Sequence, residues 1–131
     1  MNKAKARLLI TGVSGLLGNN LAYYFKDKYE TLGLYNSHPV MISGIRTEAC
    51  DITSKASIKR IINEFNPSII LHCASLTNID QCEIEKDTTR KTNVLSTRYI
   101  VECIDNKDSK LIYISTDAVY DGVRGDFSER W

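Results

Sequence analysis

Charge of one sign is the first thing this chain lacks. Its 17 lysines and arginines balance 16 aspartates and glutamates, for a net charge of +1. No basic surplus calls for nucleic acid or an anionic membrane surface as a partner. Long hydrophobic runs are missing too, and no apolar stretch reaches the ~20 residues that span a bilayer. The opening Met1-Asn2-Lys3-Ala4-Lys5-Ala6-Arg7 is basic. The apolar segment behind it is too short for a secretory signal and runs straight into a glycine turn. The expected location is the cytoplasm. The four cysteines, Cys50, Cys73, Cys82 and Cys103, include no C-x-x-C pair. That spacing argues against a zinc or redox motif, and they read as small apolar residues in a reducing compartment. His38 and His72 stand far apart, and no metal-ligand set is visible. His72 lies inside an apolar run, where it reads as a satisfied core histidine rather than a ligand or base. Internal repeats and low-complexity segments are absent.

What is there is an ordinary globular composition, 131 residues with 43% hydrophobic and 25% charged. That length suits one domain with a real core. Strand and helix patterns alternate throughout. Residues 6–11 read as a strand, and 15–28 as a helix with Leu16, Leu17, Leu21, Tyr24 and Phe25 near a 3.6 period. Residues 30–35 read as a second strand, 36–45 as a loop rich in turn formers, and 46–50 as a short third strand. Thr53 or Ser54 is the expected cap of a helix carrying Ile58, Ile61, Ile62 and Phe65, ended by Asn66-Pro67. Residues 68–74 are continuously apolar, as a strand buried on both faces should be. A long helix is expected over 80–106 and a buried fifth strand over 110–115. The alternation implies a doubly wound parallel sheet. Ligands in such sheets bind outside the carboxyl ends of the strands. That rule directs attention to residues 12–18, 35–38, 73–77 and 115–122.

Two of these places, and Asp51 besides, carry chemistry. Gly12-Val13-Ser14-Gly15-Leu16-Leu17-Gly18 follows the first strand and opens a helix. Gly12 allows a tight turn, Gly15 lets backbone approach a phosphate, and Gly18 lets helix and strand pack closely. Free amides at the positive end of the helix dipole suit an anion. A structural helix-entry turn is the alternative. Asp51, after the third strand, is placed to accept from an adenine amino group or to belong to the cap of the next helix. Ser115-Thr116-Asp117 ends the fifth strand. A hydroxyl there suits a substrate carbonyl, or the same groups satisfy backbone in a strand-to-loop transition.

Taken together, these residues resemble the N-terminal part of an extended short-chain dehydrogenase/reductase, most closely the dTDP-4-dehydrorhamnose reductase group. The resemblance rests on Thr11-Gly12, Asp51-Ile52, residues 66–74, Thr92-Asn93-Val94 and, most specifically, Ser115-Thr116-Asp117-Ala118-Val119-Tyr120-Asp121-Gly122. It implies a Rossmann-type doubly wound parallel sheet, truncated after about five strands. Residues 1–131 would form its NAD(P)-binding domain. It further implies that Gly12, Ser14, Gly15, Leu16, Leu17 and Gly18 hold the cofactor pyrophosphate. Asp51 and Ile52 would frame the adenine, with Asn36 and Ser37 at the end of strand two. Cys73, Ala74 and Ser75 would run beside the cofactor, with Asn93 and Ser115 completing the site. Thr116 matches the catalytic hydroxyl that meets the substrate carbonyl during hydride transfer. The implied reaction is reduction of a nucleotide-linked 4-keto sugar. Such reductases form dimers, some with magnesium at the contact.

Several features depart from the pattern. The family's Tyr-x-x-x-Lys pair, in which lysine lowers a tyrosine pKa from near 10, is missing. It is expected shortly after Gly125-Asp126-Phe127-Ser128-Glu129, so the chain reads as a piece ending at Trp131 that binds nucleotide without turnover. Tyr24 and Lys28 match the spacing at the wrong place in the topology. A sheet cut there leaves an open edge and an apolar face, so self-association is expected. Strand two ends in Tyr35-Asn36-Ser37-His38 without an acid. An acid would hold the ribose and repel a 2′-phosphate; its absence favours NADP while leaving NAD open. Arg46 reads as a surface residue rather than a phosphate contact. Ala118 replaces an aromatic. Leu16-Leu17 is closer to epimerases and to the regulatory subunit of methionine adenosyltransferase. A non-catalytic NADP-binding subunit and a sugar-nucleotide epimerase or dehydratase are therefore the alternative functions.

Overall fold

The computed structural model describes residues 4–125 and Ser128. Residues 1–3 of the basic opening, and Asp126, Phe127, Glu129, Arg130 and Trp131 of the closing segment, lie outside the described residues. Five strands, β1 (Arg7–Thr11), β2 (Glu30–Tyr35), β3 (Arg46–Ala49), β4 (Ile69–His72) and β5 (Lys110–Tyr113), form one sheet in the order β3-β2-β1-β4-β5. All four pairings are parallel. This is the strand order of a Rossmann-type half, with the order reversing between β1 and β4.

The central strands bury both faces because their side chains alternate. Leu9, Leu32, Leu34 and Ile70 face α2 (Lys55–Phe65) and α5 (Ser96–Ile104), meeting Ile58, Ile61, Ile62 and Ile100. Leu8, Ile10 and Leu71 face α1 (Leu16–Phe25), meeting Ala22, Leu21 and Phe25. The loop over residues 36–45 is not merely solvated, since Val40 and Ile42 pack into this second cluster. In α2, Ser54 is the cap, accepting from the Ser57 amide at 3.3 Å. Asn66 ends it in the left-handed region at φ 47° and donates its amide to the Ile62 carbonyl, just before Pro67.

Three boundaries differ from the sequence expectation. Helix α1 stops at Phe25, where a turn to Tyr29 brings Phe25 and Tyr29 edge to face at 5.5 Å. The long helix is two. Helix α3 (Ile79–Ile84) ends at Glu85, whose φ −102° and ψ 55° are not helical. A second helix runs on from α4 (Lys86–Arg90) through one π-helical turn, Lys91–Leu95, into α5. No glycine or proline marks that break. Strand β5 ends at Tyr113, short of the expected 110–115. It pairs only with β4 among the described residues, and Ile112, Tyr113 and Ile114 stay 39–46% exposed, the open edge and apolar face that the sequence reading expects.

Backbone proximity at the β1–α1 junction fixes the helix against the sheet. A Cβ at Gly18 would lie 2.2 Å from the Gly12 carbonyl oxygen, and one at Gly12 (φ +75°) would lie 2.9 Å from Ala74 backbone. Beside this junction lies a buried polar cluster. His72 is 1% exposed. Its Nδ1 is 2.7 Å from Thr11 Oγ1, and its Nε2 is 3.1 Å from Thr97 Oγ1 and 3.3 Å from Ser96 Oγ. Burial pushes the imidazole pKa down from 6.5 to about 4.

Two outcomes follow from this packing. Gly18→Ala should cost ~1–3 kcal/mol of unfolding free energy, or more if the turn cannot shift. Gly125→Ala, whose Cβ meets nothing within 4 Å, should stay within about 0.5 kcal/mol. Urea titration of both variants measures the contrast. For His72, the unfolded chain binds a proton between pH 6.5 and about 4 while the folded chain does not. Its contribution is therefore complete above pH 6.5 and is lost as pH falls, up to roughly 3 kcal/mol. Denaturation curves across that window should show a slope that shrinks in His72→Gln.

Candidate functional site

Two adjoining cavities open at the carboxyl edge of the sheet, one of about 340 Å³ and one of about 600 Å³. Cys73, Ser75 and Leu76 line both. The first lies where the strand order reverses. The Gly12 and Val13 amides both donate to the Leu34 carbonyl, at 2.9 and 3.0 Å, tying the glycine turn to the end of β2. The Gly15 amide donates to the Gly12 carbonyl at 3.0 Å and closes the turn. Helix α1 then starts with no side-chain cap, so its first amides are left for water or an anionic ligand.

Gly12, Ser14, Gly15, Asn36, Asp51, Ile52, Cys73, Ala74 and Ser75 all line this first cavity. Gly18 does not; its place is the close contact behind the turn. Ser37 lines neither cavity and lies 3.2 Å from its neighbour His38. Leu16 points outward at 86% exposure, while Leu17 lines the second cavity. Asp51 is not the cap of α2, since Ser54 is. Its Oδ1 accepts from the Thr53 amide at 2.9 Å and the Thr53 hydroxyl at 2.7 Å. This turn holds the carboxylate in the cavity wall. Among the described residues, Asp51 is the only charged one there.

The second cavity is lined mainly by apolar side chains, including Leu17, Ile79, Ile114, Ala118 and Val119, with Glu83 the only charge among the described residues. Asn93, Ser115 and Thr116 also line it. The Asn93 carboxamide is turned onto Leu76: its Oδ1 accepts from the Leu76 amide at 2.8 Å and its Nδ2 donates to the Leu76 carbonyl at 2.9 Å. It shapes the wall that the cavities share. Thr116 Oγ1 accepts from the Ala118 amide at 3.2 Å, and its hydroxyl reaches Asp117 Oδ1 at 3.3 Å. In this state it caps the short 3₁₀ turn Asp117–Val119.

Neither of the remaining polar features belongs to this edge. Arg46 opens β3 at the amino end of the sheet and pairs with Glu48 at 2.7 Å. It cannot reach a group bound beyond Tyr35. Tyr24 and Lys28 touch, Nζ to Oη 3.3 Å, but at the far end of α1 from the glycine turn. Burial raises the Cys50 thiol to about 11, helped by the Asp51 charge, and burial raises Cys73 as well. Both stay as thiols. Among the described residues, no group of three or more histidines, cysteines or acids is set to hold a metal, and no helix is long and apolar enough to cross a membrane.

Sequence reasoning missed Thr53, Thr88 and Thr92 in the first cavity wall and Glu83 in the second. Thr88 and Thr92 stand four apart on one helical face, a signal hidden by the charges around them.

Known proteins share this arrangement. The RmlD substrate binding domain family matches residues 6–130. A dTDP-4-dehydrorhamnose reductase of Aggregatibacter actinomycetemcomitans is 36% identical over 121 residues, 91% of this chain and 37% of the relative. The methionine adenosyltransferase 2 subunit beta of Xenopus laevis is 31% identical over 124 residues, 94% of this chain and 36% of the relative. The crystal structure of dTDP-4-dehydrorhamnose reductase from Bacillus anthracis in complex with NADP superposes with a TM-score of 0.78. It is 31% identical, with 95% of this chain and 41% of that one covered. The chain thus spans a little over a third of the length of these curated relatives. Its Rossmann-type sheet, its glycine turn and its match along nearly the whole sequence place it in one family: the chain belongs to the RmlD substrate binding domain family.

Proposed function

We propose that this chain is the cofactor-binding part of an NADP(H)- or NAD(H)-dependent reductase of a nucleotide-linked 4-keto sugar. The observation that carries this reading is the uncapped start of α1, opening into the first cavity behind a turn where Gly12 and Gly15 present bare backbone. A pyrophosphate suits that spot, because amides and dipole both favour an anion there. Gly12, Ser14 and Gly15, with the Leu16 and Leu17 amides, would hold it, and Gly18 keeps the helix close enough to do so. Asp51, oriented by Thr53, would accept from the adenine amino group beside Ile52. Asn36 and Ser37 would meet the adenosine ribose. With no acid at the end of β2 to repel a 2′-phosphate, NADP(H) is favoured, and the NADP complex of the Bacillus anthracis relative supports this.

Cys73, Ala74 and Ser75 would lead the cofactor from the first cavity into the second, where Ser115 lies. When bound, the nicotinamide supplies the hydride. Thr116 would turn its hydroxyl from Asp117 to the substrate carbonyl, orienting it and stabilising the developing negative charge. The apolar wall of Leu17, Ile79, Ile114 and Val119 would keep water from that carbonyl. Residues 1–131 act in this reading as one NAD(P)-binding domain in the cytoplasm. Its partners are a nucleotide sugar and a second copy of the protein, with no role for nucleic acid or a membrane.

A second reading has its own support. The similarity to methionine adenosyltransferase 2 subunit beta, with Leu16-Leu17 and Ala118, favours a nucleotide-binding regulatory subunit. The two readings share the nucleotide and differ in turnover.

Titration of the chain with NADPH and NADH, followed by nicotinamide fluorescence, tests the shared part. Saturable binding of one nucleotide per chain is expected. Gly15→Val should weaken it at least about tenfold, equivalent to ~1.4 kcal/mol. Absence of binding by both nucleotides would overturn the reading. NADPH oxidation with a dTDP-linked 4-keto sugar, by the protein purified from its native host, tests the reaction. Turnover that Thr116→Val abolishes is the expected result; binding without turnover would favour the regulatory role.

A further inference from the structure

We propose that His72 is a positioning residue for the nucleotide site, held neutral with its proton on Nε2, and that it fixes residues 73–76 from both sides. The functional half of this inference rests on the nucleotide reading above, whereas the tautomer stands on hydrogen-bond accounting alone. A threonine hydroxyl has one hydrogen and two lone pairs. Thr11 Oγ1 accepts from the Cys73 amide and from the Ala74 amide, each at 3.1 Å. Both lone pairs are then used, so its hydrogen points to the remaining neighbour, His72 Nδ1 at 2.7 Å. Nδ1 must be bare.

The other side of the ring agrees. The Ser96 hydroxyl donates to the Thr92 carbonyl, and the Thr97 hydroxyl faces the Asn93 carbonyl at 3.5 Å. Their oxygens therefore turn lone pairs to Nε2, at 3.3 and 3.1 Å. Nε2 carries the hydrogen and shares it between them. The opposite tautomer would set an Nδ1–H against an oxygen with no lone pair left, while Nε2 would face two hydroxyls whose hydrogens are committed elsewhere.

The consequence reaches the cavities. Thr11, at the carboxyl end of β1, grips the backbone just after β4. Asn93, in the π-helical turn, grips Leu76 three residues on. His72 links the two grips through Thr11 on one side and through Ser96 and Thr97, which flank that turn, on the other. Cys73, Ser75 and Leu76 form the wall that both cavities share. One imidazole thus sets where that wall stands.

The first test uses the unaltered chain with ¹⁵N-labelled histidine and long-range ¹H–¹⁵N NMR. One ring should show a pyridine-like Nδ1 and a pyrrole-like Nε2, unchanged from about pH 7.5 to about pH 5.5. A pyrrole-like Nδ1, an averaged pattern or an imidazolium in that range overturns the tautomer. The second test compares His72→Asn, which keeps an acceptor for Thr11, with His72→Phe, which keeps none. Amide exchange at Cys73 and Ala74 should speed at least about tenfold in His72→Phe and be largely restored in His72→Asn. NADPH affinity should follow the same order, at temperatures where both variants keep wild-type circular dichroism. Unchanged exchange in His72→Phe overturns the positioning role. Exchange that follows the predicted order while the unaltered chain binds no nucleotide upholds the positioning of residues 73–76 and overturns only the nucleotide reading.

Discussion

The close approach of Gly18 to the Gly12 carbonyl is the constraint on which the rest of this structure depends. With 2.2 Å between that oxygen and a hypothetical Cβ, no other residue lets α1 start where it does. The same turn is tied to β2 through the Leu34 carbonyl and lies against the Ala74 backbone beyond β4. One backbone knot therefore joins β1, β2, β4 and α1. The cavity wall made by residues 73–76 and the cavity floor made by Gly12 and Gly15 are two sides of that knot. A shift that admitted a Cβ at Gly18 would move the helix amides away from the place where an anion meets them.

Buried polar groups, rather than surface charge, give the edge its geometry. Exposed ion pairs such as Arg7–Glu30 and Lys55–Glu102 add little to stability and are screened by salt. Removing the Thr11 hydroxyl would instead leave two partly buried amides without an acceptor, at up to ~1–3 kcal/mol for each group. The direction of His72's pKa follows from the same circumstance. Burial disfavours the charged ring, and every neighbouring hydroxyl already has its hydrogen assigned. Charge does matter at the amino end of the sheet. There Glu48, pulled below its ordinary pKa chiefly by the Arg60 hydrogen bond and also by Arg46, anchors β3 to α2. That end carries its own cavity of about 240 Å³ lined by paired Arg7, Glu30, Arg46 and Glu48, and nothing in it resembles a ligand site.

Local chemistry made much of this legible from sequence. The glycine spacing announced the turn, Ser54 and Asn66-Pro67 bracketed α2, and apolar periodicity gave the sheet its strands. The carboxyl-edge rule then brought nine of the expected cofactor residues into one cavity wall. What stayed hidden turns on which partner each side chain takes. Asp51 could not be told from a cap until Ser54 was seen to cap and Thr53 to hold the carboxylate. That Asn93 holds the Leu76 backbone, 17 residues earlier, is a pairing no local pattern announces. The break at Glu85 has no glycine or proline to mark it.

The two cavities differ in what encloses them, and on the proposed reading that difference bears on binding and on chemistry separately. The first has walls from the ends of β1, β2, β3 and β4 and from the helix at Thr88 and Thr92, so this chain supplies its surroundings on several sides. The second leans on β5, where Ile112 and Ile114 stay 41% and 39% exposed, and on a single 3₁₀ turn capped by Thr116. An anion at the first is met by a preformed backbone whose ordering has already been met in folding, which favours affinity. In the proposed reaction a carbonyl at the second would take the Thr116 hydroxyl from Asp117, at the loss of one hydrogen bond of ~0.5–1.5 kcal/mol, while the Ala118 amide stays on Oγ1. Nucleotide affinity should accordingly be insensitive to changes at Thr116 and sensitive to changes at Gly12, Gly15 and Asp51. Any substrate chemistry depends on what stabilises the Ser115-Thr116-Asp117 segment once its hydroxyl has turned.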